Sequence, residues 1–226
     1  MAQLLFERHS PATCLSVCMR HIRLLRQMKG TDDLVAAIDP YRVALLSRKN
    51  GTETAAENKT AGYDLLVLTD ALLDDKVRNL SDDCKQYDRN NPGRPVFNVI
   101  FPEGNITAII RTKMEEEPDV VNALIKRVES LGTDHPVAKH VALLQTAIDN
   151  SNKVIADYKA TIEALKSEEA LEEIAKTNLI RQYELNYYEA LKKFGKVYAN
   201  RLFPTIMQRS TNEDDEPGTT GTDAKA

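Results

Sequence analysis

Apolar residues along the chain fall into stripes at helical spacing. The longest joins Ile180, Tyr183, Tyr187, Leu191, Phe194, Tyr198 and Leu202 at steps of three and four. Steps of 3, 4 and 4 repeat every eleven residues, about 3.67 residues per turn, so this pattern predicts one nearly straight helical face. Tyr183, Tyr187 and Tyr198 are expected in its seam, with hydroxyls that need a partner or water wherever they are buried.

Upstream, Ser10 and Pro11 have the chemistry of a helix start, and Leu15, Cys18, Ile22 and Leu25 give the face of a first helix closed by Gly30. Thr31, followed by Asp32 and Asp33, reads as the cap of a second helix, whose face is Leu34, Ile38, Tyr41 and Leu45. Pro40 lies inside that run and predicts a kink or a restart capped by Asp39. The polar stretch 51–60 reads as a loop. From Tyr63 a heptad resumes with Leu66, Asp70, Leu73, Val77, Leu80, Cys84 and Tyr87, and stops at Asn90-Asn91-Pro92-Gly93.

Residues 95–111 differ in kind. Two runs rich in β-branched and aromatic residues flank Pro102-Glu103-Gly104-Asn105, which predicts either a short β-hairpin or an extended connector. A further helix follows from Glu115 to Gly132, with Val121, Leu124, Val128 and Leu131 on its face. Another begins near Asp134-His135-Pro136 and carries Val141, Leu144, Ile148, Ser151, Ile155, Tyr158, Ile162 and Leu165. Extending that heptad would bury Glu169, Glu172 and Lys176, so a reversal capped by Ser167 is expected near Lys166 to Glu169. The helix carrying the Ile180 stripe would then run from about Glu168 to Leu202.

The fold class is therefore mostly α: a bundle of five or six helices with one hairpin or connector at 95–111. It forms one domain over 1–204, or two three-helix units, 1–102 and 103–204. The second division is suggested by an echo of the pattern N-x-[I/L]-F-P at Asn98–Pro102 and Asn200–Pro204. Residues 205–226 have too few apolar positions to fold, and are expected to be a disordered acidic tail.

Composition narrows the partners. The 226 residues carry 30 basic and 34 acidic side chains, a net charge of −4 and a pI near 5.7, which argues against a general binder of polyanions. Arg20, Arg23, Arg26 and Lys29 spread around the first helix without interleaved aromatics, so nucleic acid is not an expected partner. Three cysteines make no secreted framework and no apolar run reaches 18 residues, so the expectation is a cytoplasmic protein without a membrane span.

Candidate chemistry is sparse. Cys14, Cys18 and His21 share one side of the first helix and could offer soft ligands to zinc, but Cys18 belongs to the apolar stripe and no fourth ligand is evident. Asp70 stands in a seam where a charge is costly. Otherwise the seam rotates locally, Thr69 faces inward and Asp70 meets a lysine or arginine at the edge. No phosphate loop, nucleophile elbow or metal-finger spacing occurs, and no cofactor is implied. The functional expectation is a non-enzymatic structural or protein-interaction bundle that self-associates, its partner a second copy or another protein. The alternative is a bundle that holds a small ligand or metal in its core, using Asp70, the three tyrosines, or Cys14, Cys18 and His21.

Overall fold

Ser10 opens helix α1 (Pro11–Leu25) by accepting the Thr13 N–H at 3.2 Å, and α1 buries Cys14, Val17, Cys18, His21, Ile22 and Leu25. Its end is closed by Thr31, whose hydroxyl donates to the carbonyls of Leu25 (2.6 Å) and Met28 (2.7 Å). Thr31 therefore serves the helix before it as well as standing at the head of the next. These coordinates are a computed structural model, which describes residues 4–204; the tail expected at 205–226 lies outside the described residues.

Helix α2 runs without interruption from Asp32 to Asn90. Neither the restart expected at Pro40 nor the loop expected at 51–60 forms. Ile38 and Leu45, on either side of Pro40, are fully buried, and that packing holds the turn that the proline weakens. Through the polar stretch the spacing of three and four continues as Leu45, Arg48, Thr52, Ala55, Lys59, Gly62 and Leu66. The neighbouring helix comes close where this line passes Gly62: a Cβ there would lie 3.4 Å from the Tyr158 ring.

Residues 95–111 do not form the expected hairpin, and no strand occurs among the described residues. They make two single-turn helices, α3 (Phe97–Ile100) and α4 (Thr107–Ile110). Remote side chains take up the backbone groups that a second strand would have paired. The Asp88 carboxylate accepts from the N–H groups of Val96 (2.6 Å) and Phe97 (3.1 Å), and Arg127 donates to the Ile100 carbonyl at 3.1 Å. Val96, Ile100, Phe101 and Ile109 then enter the core.

Helix α5 (Glu117–Glu129) and a 3₁₀ turn at Pro136–Ala138 lead to α6 (Lys139–Leu202). The reversal expected at Lys166–Glu169 is absent. Instead the heptad of Val141–Leu165 carries on in phase through Glu169, Glu172, Lys176, Leu179, Tyr183, Asn186 and Ala190, and the last five of these are buried. Lys176 is tolerated there because its ammonium donates to the Glu7 carbonyl at 3.0 Å. The buried face is thus displaced from the expected stripe: Ile180, Tyr187, Leu191 and Phe194 are half-buried and Tyr198 is 52% exposed. At Gly195 (φ 73°, ψ 169°) the backbone leaves the helical region for one open essentially to glycine alone, and the stripe is cut.

The chain divides into two compact units that are not consecutive in sequence. Unit 1 gathers Met1–Leu45 with Lys176–Ala226, and unit 2 is Leu46–Ala175, so each unit draws on α2 and α6. In unit 2 the two long segments run antiparallel: Leu66 packs with Val154 and Ile155, His140 bonds Asp83 at 2.8 Å, and the rings of Tyr87 and His135 lie 4.7 Å apart. Helices α3, α4 and α5 complete its core, in which Leu73, Val77, Leu80, Ile100, Phe101, Leu124 and Leu144 are almost wholly buried. In unit 1 the fully buried side chains include Leu25, Ile38, Leu45, Leu179, Tyr183 and Phe203. Among the described residues, no helix is long and apolar enough to cross a membrane.

Candidate functional site

Unit 1 brings together three residues marked by the sequence. Cys18, His21 and Tyr183 are all fully buried, and the His21 ring stands edge-on to Tyr183 at 5.1 Å and 4.2 Å from Phe203. His21 Nδ1 donates to the Leu202 carbonyl (2.8 Å), which leaves Nε2 as acceptor toward the Asn186 amide at 3.4 Å; that amide also donates to the Leu34 carbonyl at 2.9 Å. Burial pushes the imidazole down to about 4, outweighing the carbonyl bond, so the ring is neutral. Burial likewise pushes the Cys18 thiol up to about 12 and raises the Tyr183 phenol. The group is a neutral packing centre, with neither a thiolate nor a base exposed to substrate.

Cys14, although buried on the same side of α1, is not joined to these residues in any metal-binding arrangement. Among the described residues no group of three or more His, Cys, Asp or Glu is placed to hold a metal ion. Tyr187 donates to Asn200 Oδ1 at 3.3 Å, and Tyr198 lies at the surface with the Arg201 guanidinium 5.5 Å from its ring centre.

Asp70 belongs to a cluster of carboxyl groups in unit 2. Thr69 is buried and Asp70 half-buried, so the α2 seam runs Leu66, Thr69, Leu73, Val77, with an eleven-residue spacing interrupting the heptad. Asp70 bonds not to a cation but to Glu117, the first residue of α5, which is 1% exposed and also bonds Asp74. Burial raises the Glu117 carboxyl to about 9, with the Asp70 bond and charge adding to it. Burial also raises Asp74, against the opposing pull of its bond to Glu117 and of Arg78, which donates to it at 3.1 Å. Two ionised carboxylates cannot bond one another; the proton held by Glu117 makes the cluster a hydrogen-bonded set. Glu117 was not legible as its member, since nothing local links position 117 to position 70.

A third feature lies on the outer side of α2. While Leu66, Thr69 and Leu73 face inward, Leu65, Leu68 and Leu72 are 48%, 57% and 50% exposed, and exposed Ala61 extends the line by a turn. The steps 4, 3, 4 make a second heptad stripe, exposed and displaced by one residue, about 100° around the helix, from the buried one. Sequence reasoning missed it because the run Leu65–Leu68 is apolar throughout and the inner stripe accounts for a helix by itself. On α6 the exposed Leu143, Ile174 and Leu185 are separated along the helix, and exposed Tyr188 follows Leu185 by one turn.

Among the described residues, two of the better-formed clefts lie one in each unit. A cleft of about 530 Å³ is lined by Leu4–Arg8, Ile180 and Glu184, and one of about 490 Å³ by Phe101, Ile109, Val120, Arg127 and their neighbours. None of the seven residues marked by the sequence lines either. No protein-family model, curated protein or solved structure matches the chain.

Proposed function

We propose that this chain is a non-enzymatic helical protein that works by associating with protein, in the first instance with copies of itself. The observation that carries this reading is the stripe Ala61, Leu65, Leu68 and Leu72, presented to solvent in heptad order on a regular helix. Burying a leucine side chain fully stabilises by about 1.5–3 kcal/mol, and three large apolar residues in register on one rigid helix form a surface that a partner helix can cover. The polar centres described above support the same reading: His21 and Cys18 are held neutral within packed helices, and their work is structural.

Light scattering on the purified full chain tests the proposal. A stoichiometric oligomer at micromolar concentration is the expected result. A strict monomer across the accessible concentration range would overturn it.

A further inference from the structure

We infer that the partner of the outer α2 stripe is the same stripe of a second copy, laid antiparallel with the twofold axis passing between Leu66 and Val67. The inference rests on the self-association proposed above and goes further, naming the face, the orientation and the register.

The register follows from side-chain size. An axis at this place sets Leu65 of each copy against Leu68 of the other, and Leu72 against Ala61, so both outer layers join a large residue to a small one. A parallel pairing would set each residue against itself. Ala61 on Ala61 would leave a gap, and Leu72 on Leu72 would carry bulk that nothing balances.

Charge selects the same orientation. One turn beyond Leu72 the stripe ends in exposed Asp75. A parallel pair would place Asp75 on Asp75, an unfavourable contact between like charges, whereas the antiparallel pair places it opposite Asn58. Along the flank, where facing positions are centred one residue further on, exposed Glu57 falls opposite Arg78. The Arg78 side chain is 46% exposed and bonds Asp74 and Asp75 on its own helix, so Glu57 of the second copy would add a third carboxylate to a guanidinium already aligned along that edge. By symmetry the pair occurs twice. The stripe is therefore self-complementary in size and in charge when reversed, and in neither when parallel.

The test joins two variants of the full chain. Leu68→Glu changes an exposed residue at the centre of the face, so helicity by circular dichroism should match the unaltered chain. The dimer dissociation constant should rise roughly hundredfold, because each dimer loses two central leucines. A chain carrying both Glu57→Cys and Arg78→Cys should form a disulfide-linked dimer on mild oxidation, while either change alone should not; the native cysteines are buried. An unaltered chain that is monomeric sinks self-association and this inference with it. A Leu68→Glu chain that dimerises as tightly as the unaltered one sinks this face alone and leaves self-association standing. Cross-linking as efficient in either single-cysteine chain as in the double overturns the antiparallel register.

Discussion

His21 Nδ1 and the carbonyl oxygen of Leu202, 181 positions apart, lie 2.8 Å from one another. The bond can form only with the proton on Nδ1, which fixes the tautomer and turns Nε2 toward Asn186. A second proton would convert Nε2 into a donor facing the amide nitrogen of Asn186 inside a buried centre.

Acid should therefore weaken the protein through His21. Its folded value, about 4, lies below the ordinary value of 6.5, so between these pH values the unfolded chain takes up a proton that the folded chain refuses. Stability should be unaffected by this group above pH 6.5 and should fall by up to about 3 kcal/mol as pH drops to 4. Urea titrations followed by tyrosine fluorescence at pH 7, 5.5 and 4.5 measure the slope. A His21→Gln chain should be less stable at pH 7 and flatter over this range, and equal slopes in both chains would refute the assignment.

Glu117 should act in the opposite sense. Its carboxyl keeps a proton in the folded state up to about 9, while an unfolded glutamate ionises near 4.5, so stability should decline as pH rises between these values. Glu117→Gln reproduces the neutral acid. It should reduce that decline and leave the variant more stable than the unaltered chain at pH 8.5, as measured by thermal melting at a series of pH values. A variant less stable at every pH would show that the cluster needs an ionised Glu117.

Asp88→Ala removes the acceptor for the first N–H groups of α3. The expected cost is about 1–2 kcal/mol by chemical denaturation, with Asp88→Asn milder because one carbonyl oxygen remains. Amide exchange at Val96 and Phe97 should quicken in the alanine variant, and unchanged exchange would count against this capping role.

Gly195→Ala probes backbone conformation alone, since an added Cβ would meet nothing within 4 Å. At φ 73° the substitution should cost roughly 1–3 kcal/mol. A neutral result would mean that the helix passes through this position as readily with regular geometry.

The difference between what could be read in the sequence and what could not follows the reach of each interaction. Caps formed by near neighbours, such as Ser10 on Thr13, were legible, as was the start of α5. The bend expected at Lys166 was not real because Lys176, a seam residue by spacing, looks like an interruption until its partner, the Glu7 carbonyl, is known. The hairpin reading failed likewise: Asp88 and Arg127 supply the bonds that make α3 helical, and neither is close in sequence to both of its ends. Thr69 takes the inward position and Asp70 is half-buried, but Glu117, the acid Asp70 bonds, could not be inferred from spacing. The N-x-[I/L]-F-P echo has a structural counterpart in both units. The carbonyls of Ile100 and Leu202 each accept a side-chain bond from another helix, from Arg127 and His21, and Phe101 and Phe203 are each buried.

The discontinuous make-up of unit 1 also bears on the order of folding. Unit 2 needs only the unbroken stretch 46–175, so its contacts can form while later residues are still being added on the ribosome. Unit 1 cannot close until Leu202 and Phe203 have emerged to meet His21. Until then the α1 residues Val17, Cys18, Ile22 and Leu25 lack the packing that finally covers them. A folded unit 2 shortens that interval by reducing the free chain that must be searched before the two ends meet.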